Sequence, residues 1–188
     1  MHDLRCSGLL IRALARRERD RDWRELLRST EAKLAAVHVP PGEVLLFAWD
    51  GAVGVAAARL AQSDAKRALE TIESIVDVCS ERSWPEAVVD ASLVQAPALA
   101  ALDDREGALA AARRADEWSH AYGLGLYAWR AQAALASFLE DRAASEIAAD
   151  RARRSAATLL DSITDASVRE ELQTEIQRVL DGEGSAWA

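Results

Sequence analysis

The sequence predicts an all-α fold of antiparallel helix hairpins. Three observations carry that reading. Of 188 residues 40 are Ala, against 9 Gly and 4 Pro, so helix formers abound and breakers are scarce. Nearly every segment spaces its apolar residues three and four apart. Blocks of sequence also recur at intervals near forty residues. Half of the chain is apolar, which excludes disorder, and its length can enclose a core within a single domain over 1–182, followed by a short tail over 183–188. With 5% aromatic residues and so few turn formers, an all-β fold is excluded.

The period places nine helices, at about 3–19, 22–38, 42–61, 64–82, 85–102, 105–121, 124–139, 143–162 and 166–181. The segment 105–119 shows the pattern. Ala108, Leu109, Ala112, Ala115 and Trp118 share one face, and Arg113, Arg114, Asp116 and Glu117 the other. Helix starts are marked by Ser83-Trp84-Pro85-Glu86, by Asp103 with Glu106, by Ser167 with Glu170 and by Asp22 with Glu25. Breaks fall at Val39-Pro40-Pro41-Gly42 and Tyr122-Gly123-Leu124-Gly125, and Gly182 ends the last helix. Gly51-Ala52-Val53-Gly54, inside an apolar helix, reads as a place of close packing. Linkers this short pair the helices as hairpins over 3–38, 42–82, 85–121 and 124–162, with 166–181 as a cap.

The hairpins repeat. Ala58–Leu69 aligns without a gap on Ala98–Leu109 at an offset of 40, and Ala136–Ser145 continues the series at an offset of 37. Each block holds the end of a helix, a polar turn and an Ala-rich start. Such periods indicate a solenoid whose hairpins bury their faces against their neighbours. An up-down bundle with short turns gives a similar period and stands as the alternative.

Charge and side-chain chemistry narrow the function. The formal net charge of −8 repels phosphate backbones, so no direct nucleic-acid partner is expected. Residues 1–33 hold nine basic side chains against six acidic ones, and the alternation of Glu18, Asp20, Asp22 and Glu25 with arginines reads as a solvated helix face rather than a nucleic-acid arm. Cys6 and Cys79, 73 residues apart, match no metal spacing and read as buried, reduced thiols, consistent with a cytoplasmic protein. No apolar run is long enough for a membrane span. His2, His38 and His120 are scattered, no nucleophile elbow or phosphate loop is present, and Asp103-Asp104 reads as a turn. No cofactor, metal or catalytic residue is therefore expected. Six Trp outnumber Phe and Tyr together and are read as fillers between Ala layers, with aromatic anchoring of a ligand as the alternative. The 21 Arg against 2 Lys, with so much Ala, fit a GC-rich bacterial source.

At Leu102–Ala115, with Ala108 and Ala115 at two small positions, and at Trp129, sixteen residues before Ser145, the chain resembles tetratricopeptide (TPR) repeats. Ala112 and Ala149 replace a usual aromatic, and the repeats exceed 34 residues, so the likeness is to divergent members. The Ala/Arg-rich style over 42–181, closing with Ala148–Leu180, is similar to the helical repeats of large LuxR-type and SARP-like bacterial transcriptional regulators. That resemblance implies an interaction or sensing module for a protein or peptide partner or a small effector. TPR-like geometry would put Asp50, Val53, Asp90, Leu93, Tyr127 and Arg130 on a concave wall. A self-associating adaptor forming a homodimer, and a helical enzyme or enzyme accessory, are the competing readings.

Overall fold

A computed structural model describes residues 22–36 and 45–182. The expected helix over 3–19, the Pro40-Pro41 break and the tail over 183–188 lie outside the described residues. Among the described residues there are eight α-helices and no strand: α1 (Asp22–Ala36), α2 (Leu45–Ala61), α3 (Ala65–Glu81), α4 (Pro85–Ala101), α5 (Arg105–Ala121), α6 (Gly125–Phe138), α7 (Arg142–Ser162) and α8 (Ala166–Leu180).

The turns explain the spacing. From α2 to α5 each helix has 17 residues and each turn has three. The middle turn residue is left-handed every time: Ser63 (φ 62°), Ser83 (φ 55°), Asp103 (φ 64°) and Gly123 (φ 66°), twenty residues apart. The third turn residue then donates its N–H to a carbonyl five residues back. These bonds are Asp64 to Arg59 (2.9 Å), Trp84 to Cys79 (2.9 Å), Asp104 to Leu99 (3.0 Å) and Leu124 to Ser119 (2.8 Å). One Schellman-type closure thus serves four helix ends and satisfies carbonyls that a helix C-terminus leaves open.

This geometry corrects three expected caps. Ser83 and Asp103 sit in the left-handed position, so the caps are the residues after them, Trp84 and Asp104. At α8 the cap is Asp165 rather than Ser167; its carboxylate accepts from the N–H groups of Ser167 (2.9 Å) and Val168 (3.2 Å) and from the Ser167 hydroxyl. The hydroxyl bond first, and then the two backbone bonds, hold the Asp165 carboxyl below the usual range.

Turns alternate in chemistry. Within the pairs α2–α3, α4–α5 and α6–α7, an Asp side chain caps the second helix: Asp64 to the Arg67 N–H (3.3 Å), Asp104 to the Gly107 N–H (2.8 Å) and Asp141 to the Ala143 N–H (3.0 Å). Gly107 matters to that short bond, because a Cβ there would collide with the Asp104 carboxylate. Between the pairs, Trp84 and Leu124 stand at the cap position with no capping side-chain bond. Both instead pack against the apolar core.

Each helix packs on the next one, and α4 also touches α2 and α6. Surrounded in this way, α4 buries ten of its residues, including Val88, Val89, Leu93 and Val94. One core layer joins Val53, Ile72, Ile75, Cys79, Val88 and Val94, with Trp49, Trp84 and Trp118 packed on its edge. A second joins Leu93, Ala111, Ala115, Ala131 and Ala134, with Tyr127 and Phe138 on its edge. A third seats the fully buried Trp129 against Ala156, Ile176 and Val179, which docks α8. Alanine faces draw the helices together and tryptophans fill the space that alanine leaves. Gly51 and Gly54 are buried in α2, where close packing was expected.

The third pair departs from the spacing. Its first helix, α6, has 14 residues instead of 17. Leu139 then takes an extended backbone (φ −74°, ψ 128°) in place of the left-handed turn. Those three lost residues are the difference between the sequence offsets of 40 and 37.

Gly123→Ala should lower stability by about 1 kcal/mol, because a Cβ has room there but disfavours the left-handed backbone. Ser83→Gly should be neutral or raise stability by about 0.5 kcal/mol. Urea unfolding of both variants measures the pair, and an unaffected Gly123→Ala would contradict the turn assignment.

Candidate functional site

Register first decides what a partner could reach. Asp50, Asp90 and Arg130 are each the sixth residue of α2, α4 and α6, forty apart. Because α4 touches both α2 and α6, these positions form one row across the three helices. Val53 and Leu93, three residues further along, are 0% and 1% exposed. They belong to the core, which corrects their expected place on an open wall: α4 packs against α2, α3, α5 and α6, and α2 packs against α1, α3 and α4. Asp50 and Asp90 are buried as well, at 5% and 2% exposure, and both have interaction partners. Tyr127 and Arg130 keep partial exposure on α6. The Arg130 guanidinium lies 5.3 Å from the centre of the Trp129 ring, a cation–π contact. Of the six expected wall residues, the structure leaves these two open to solvent.

Part-buried polar contacts join the helices. Arg114 on α5 donates from Nε to the Ser92 hydroxyl (2.9 Å) and from Nη2 to the side-chain Oε1 of Gln95 on α4. Desolvation lowers the Arg114 pKa from its ordinary value, and the Asp77 carboxylate on α3 opposes that shift. Forty residues beyond Ser92, Gln132 accepts a bond from the Ser155 hydroxyl (2.9 Å), which ties α6 to α7. Arg151 lies 37 residues beyond Arg114 and ion-pairs with Asp116 (3.3 Å), which ties α7 to α5. Arg59 and Glu31 join α2 to α1 in the same manner. Arg114 and Arg151 were not separable from ordinary helix-surface arginines in the sequence, because only the offset of 37 reveals their shared register.

The tryptophans divide by depth. Trp129 is 1% exposed and its indole N–H has no acceptor. Trp118 stacks on Tyr122 (centroids 5.2 Å apart), and Arg82 lies over Trp84 at 5.9 Å. Cys79 is fully buried, and desolvation pushes its thiol up to about 11, leaving it protonated at neutral pH. His120 sits exposed in the last turn of α5. Among the described residues, no three or more His, Cys, Asp or Glu side chains are grouped to hold a metal ion. No described helix is long and apolar enough to cross a membrane.

Two cavities lined by described residues open on this framework. One, of about 290 Å³, lies between the start of α6 and the end of α7, lined by Leu126, Ala128, Thr158 and Leu159 among others. The other, of about 780 Å³, lies where α6 stops short. Its apolar floor is Ala100, Leu109, Phe138 and Leu139, and its charged walls are Arg105 and Arg113 with Asp103, Glu106, Glu140 and Asp141. Both volumes suit small ligands or short peptide stretches. The larger one could have been sought at the 37-residue offset, the only sequence sign of the lost helical turn.

Arg114→Ala should cost about 1–3 kcal/mol, because it strands the Ser92 hydroxyl, which is 0% exposed, without its donor. The neighbouring Arg113→Ala should change stability by less than about 0.5 kcal/mol. Thermal unfolding of the two variants side by side tests this, and equal effects would contradict the network. No protein-family model, curated protein or solved structure matches the chain.

Proposed function

We propose that the chain is a TPR-like α-solenoid, with the helix expected over 3–19 as a ninth helix and α8 as its cap. It acts as a non-catalytic interaction or sensing module for a protein segment or effector, within a bacterial transcriptional regulator or signalling protein of the cytoplasm. The observation that carries this reading is the row α2–α4–α6: alternate helices touch each other while the turn between them recurs every twenty residues. Repetition of one helix-turn unit, each leaning on its neighbours, is the physics of solenoids. The resemblance in style to LuxR-type and SARP-like repeat regions supplies the regulatory context. Binding at Tyr127 and Arg130 would change the packing of α6 on α4 and so pass along the row.

Capture of the native protein from source cells, with an antibody to this chain, tests the reading in one experiment. A band far above 20.4 kDa is expected, carrying nucleotide- or DNA-binding parts. A band near that mass would remove the regulator. Against a copurifying partner, Tyr127→Ala and Arg130→Glu should weaken binding about tenfold with unchanged helical circular dichroism. Unchanged affinity in both variants would remove the site from α6.

A further inference from the structure

The larger cavity has a charge order that specifies an occupant. Arg105, Leu109 and Arg113 lie four residues apart along one face of α5, and all three line it. Arg113 stands two helical turns, about 12 Å along the axis, from the N-terminal end of α5. Four carboxylates gather at that end and at the facing turn: Asp103, Glu106, Glu140 and Asp141. Apolar Leu109 lies between on α5, and Phe138 and Leu139 line the cavity from the end of α6. Along α5 the lining therefore runs from Arg113, over Leu109, to an end where the four carboxylates outnumber Arg105. Arg113, Asp103, Glu106 and Glu140 are exposed, and none has a side-chain partner among the described residues.

An extended peptide matches that order in length and period. Four extended residues span about 13 Å, close to the separation of the charged ends. Alternate side chains of an extended strand face the same way. We infer that this cleft docks an extended segment of a partner protein carrying an acidic, a bulky apolar and a basic side chain at positions i, i+2 and i+4. The acidic side chain meets Arg113, the apolar one enters between Leu109 and Phe138, and the basic one meets the carboxylates of Asp103 and Glu140. This site is separate from Tyr127 and Arg130, and it rests on the chain being an interaction module.

The test uses fluorescein-labelled Ac-Gly-Glu-Ser-Phe-Ser-Lys-Gly-NH2 and its isomer with Phe moved one place, measured by fluorescence polarisation on the full chain. The first peptide should bind at least tenfold more tightly than the isomer. Arg113→Ala should weaken it about tenfold, and a peptide with Gln in place of Glu should bind wild type and R113A alike. A second variant, Leu109→Arg, should block the apolar site and abolish binding of both peptides; circular dichroism checks that each variant folds. Equal binding of the two isomers, no binding at millimolar peptide, or insensitivity to R113A overturns the inference. So does equally effective displacement by free N-acetylglutamate, which would make the site one for small anions, or self-association abolished by R113A, which would make a second copy the occupant. Failure of the interaction-module reading is distinct, since it would show as capture from source cells with no copurifying partner.

Discussion

One backbone hydrogen bond, from an N–H to a carbonyl five residues back across a left-handed residue, sets the dimensions of this protein. It occurs at Asp64, Trp84, Asp104 and Leu124. Wherever it closes, a helix has ended and the next begins one residue later. Seventeen residues of helix are about 25 Å long, so α2, α3, α4 and α5 share a length, and positions forty apart share a level. The row of Asp50, Asp90 and Arg130 follows from this backbone rule, as does the shared level of Ser92 and Gln132. The left-handed residue itself is interchangeable, since Ser, Asp and Gly all occupy it. What holds the turn is the helix carbonyl waiting for a donor.

The same rule gives the two kinds of turn different duties. Asp64, Asp104 and Asp141 place a carboxylate over the N-termini of α3, α5 and α7, where the helix dipole favours negative charge. Trp84 and Leu124 forgo that bond and cover apolar core instead. Arg114 takes up polar work within the pair α4–α5 and Arg151 between the pairs, donating to Ser92 and Asp116, which burial leaves in need of donors.

Helices were legible in the sequence because periodicity is local. The α3–α7 ranges read from the residues agree with the structure to within one residue at each end. Caps were misread at Ser83 and Asp103 because a left-handed Ser or Asp carries the same local signature as an N-cap, and only the chain direction after it separates them. The site was less legible for a different reason. TPR-like geometry put Asp50 and Asp90 on a concave wall, but how much of a helix stays open depends on how many neighbours it has. The same geometry put Val53 and Leu93 there, but α2 packs against three helices and α4 against four, and both residues are buried. Phe138 and Leu139 gave no sign of lining a cavity, because that cavity comes from missing residues rather than present ones.

The short α6 has a counterpart in the long α7. The first loses three residues against its equivalents and the second, at 21, gains four. The sum over the pair and its turn, from Gly125 to Ser162, is 38 residues, against 37 from Pro85 to Ala121. Helical length has been moved from one edge of the molecule to the other. Removing three residues also removes about 300° of rotation, so α7 starts only about 60° out of phase and keeps Ala148, Ala152 and Ala156 turned inward. The deficit leaves a notch beside Leu102–Asp104. The surplus leaves α7 outrunning α6 by seven residues, about 10 Å, and that overhang is the ledge from which the chain turns back into α8.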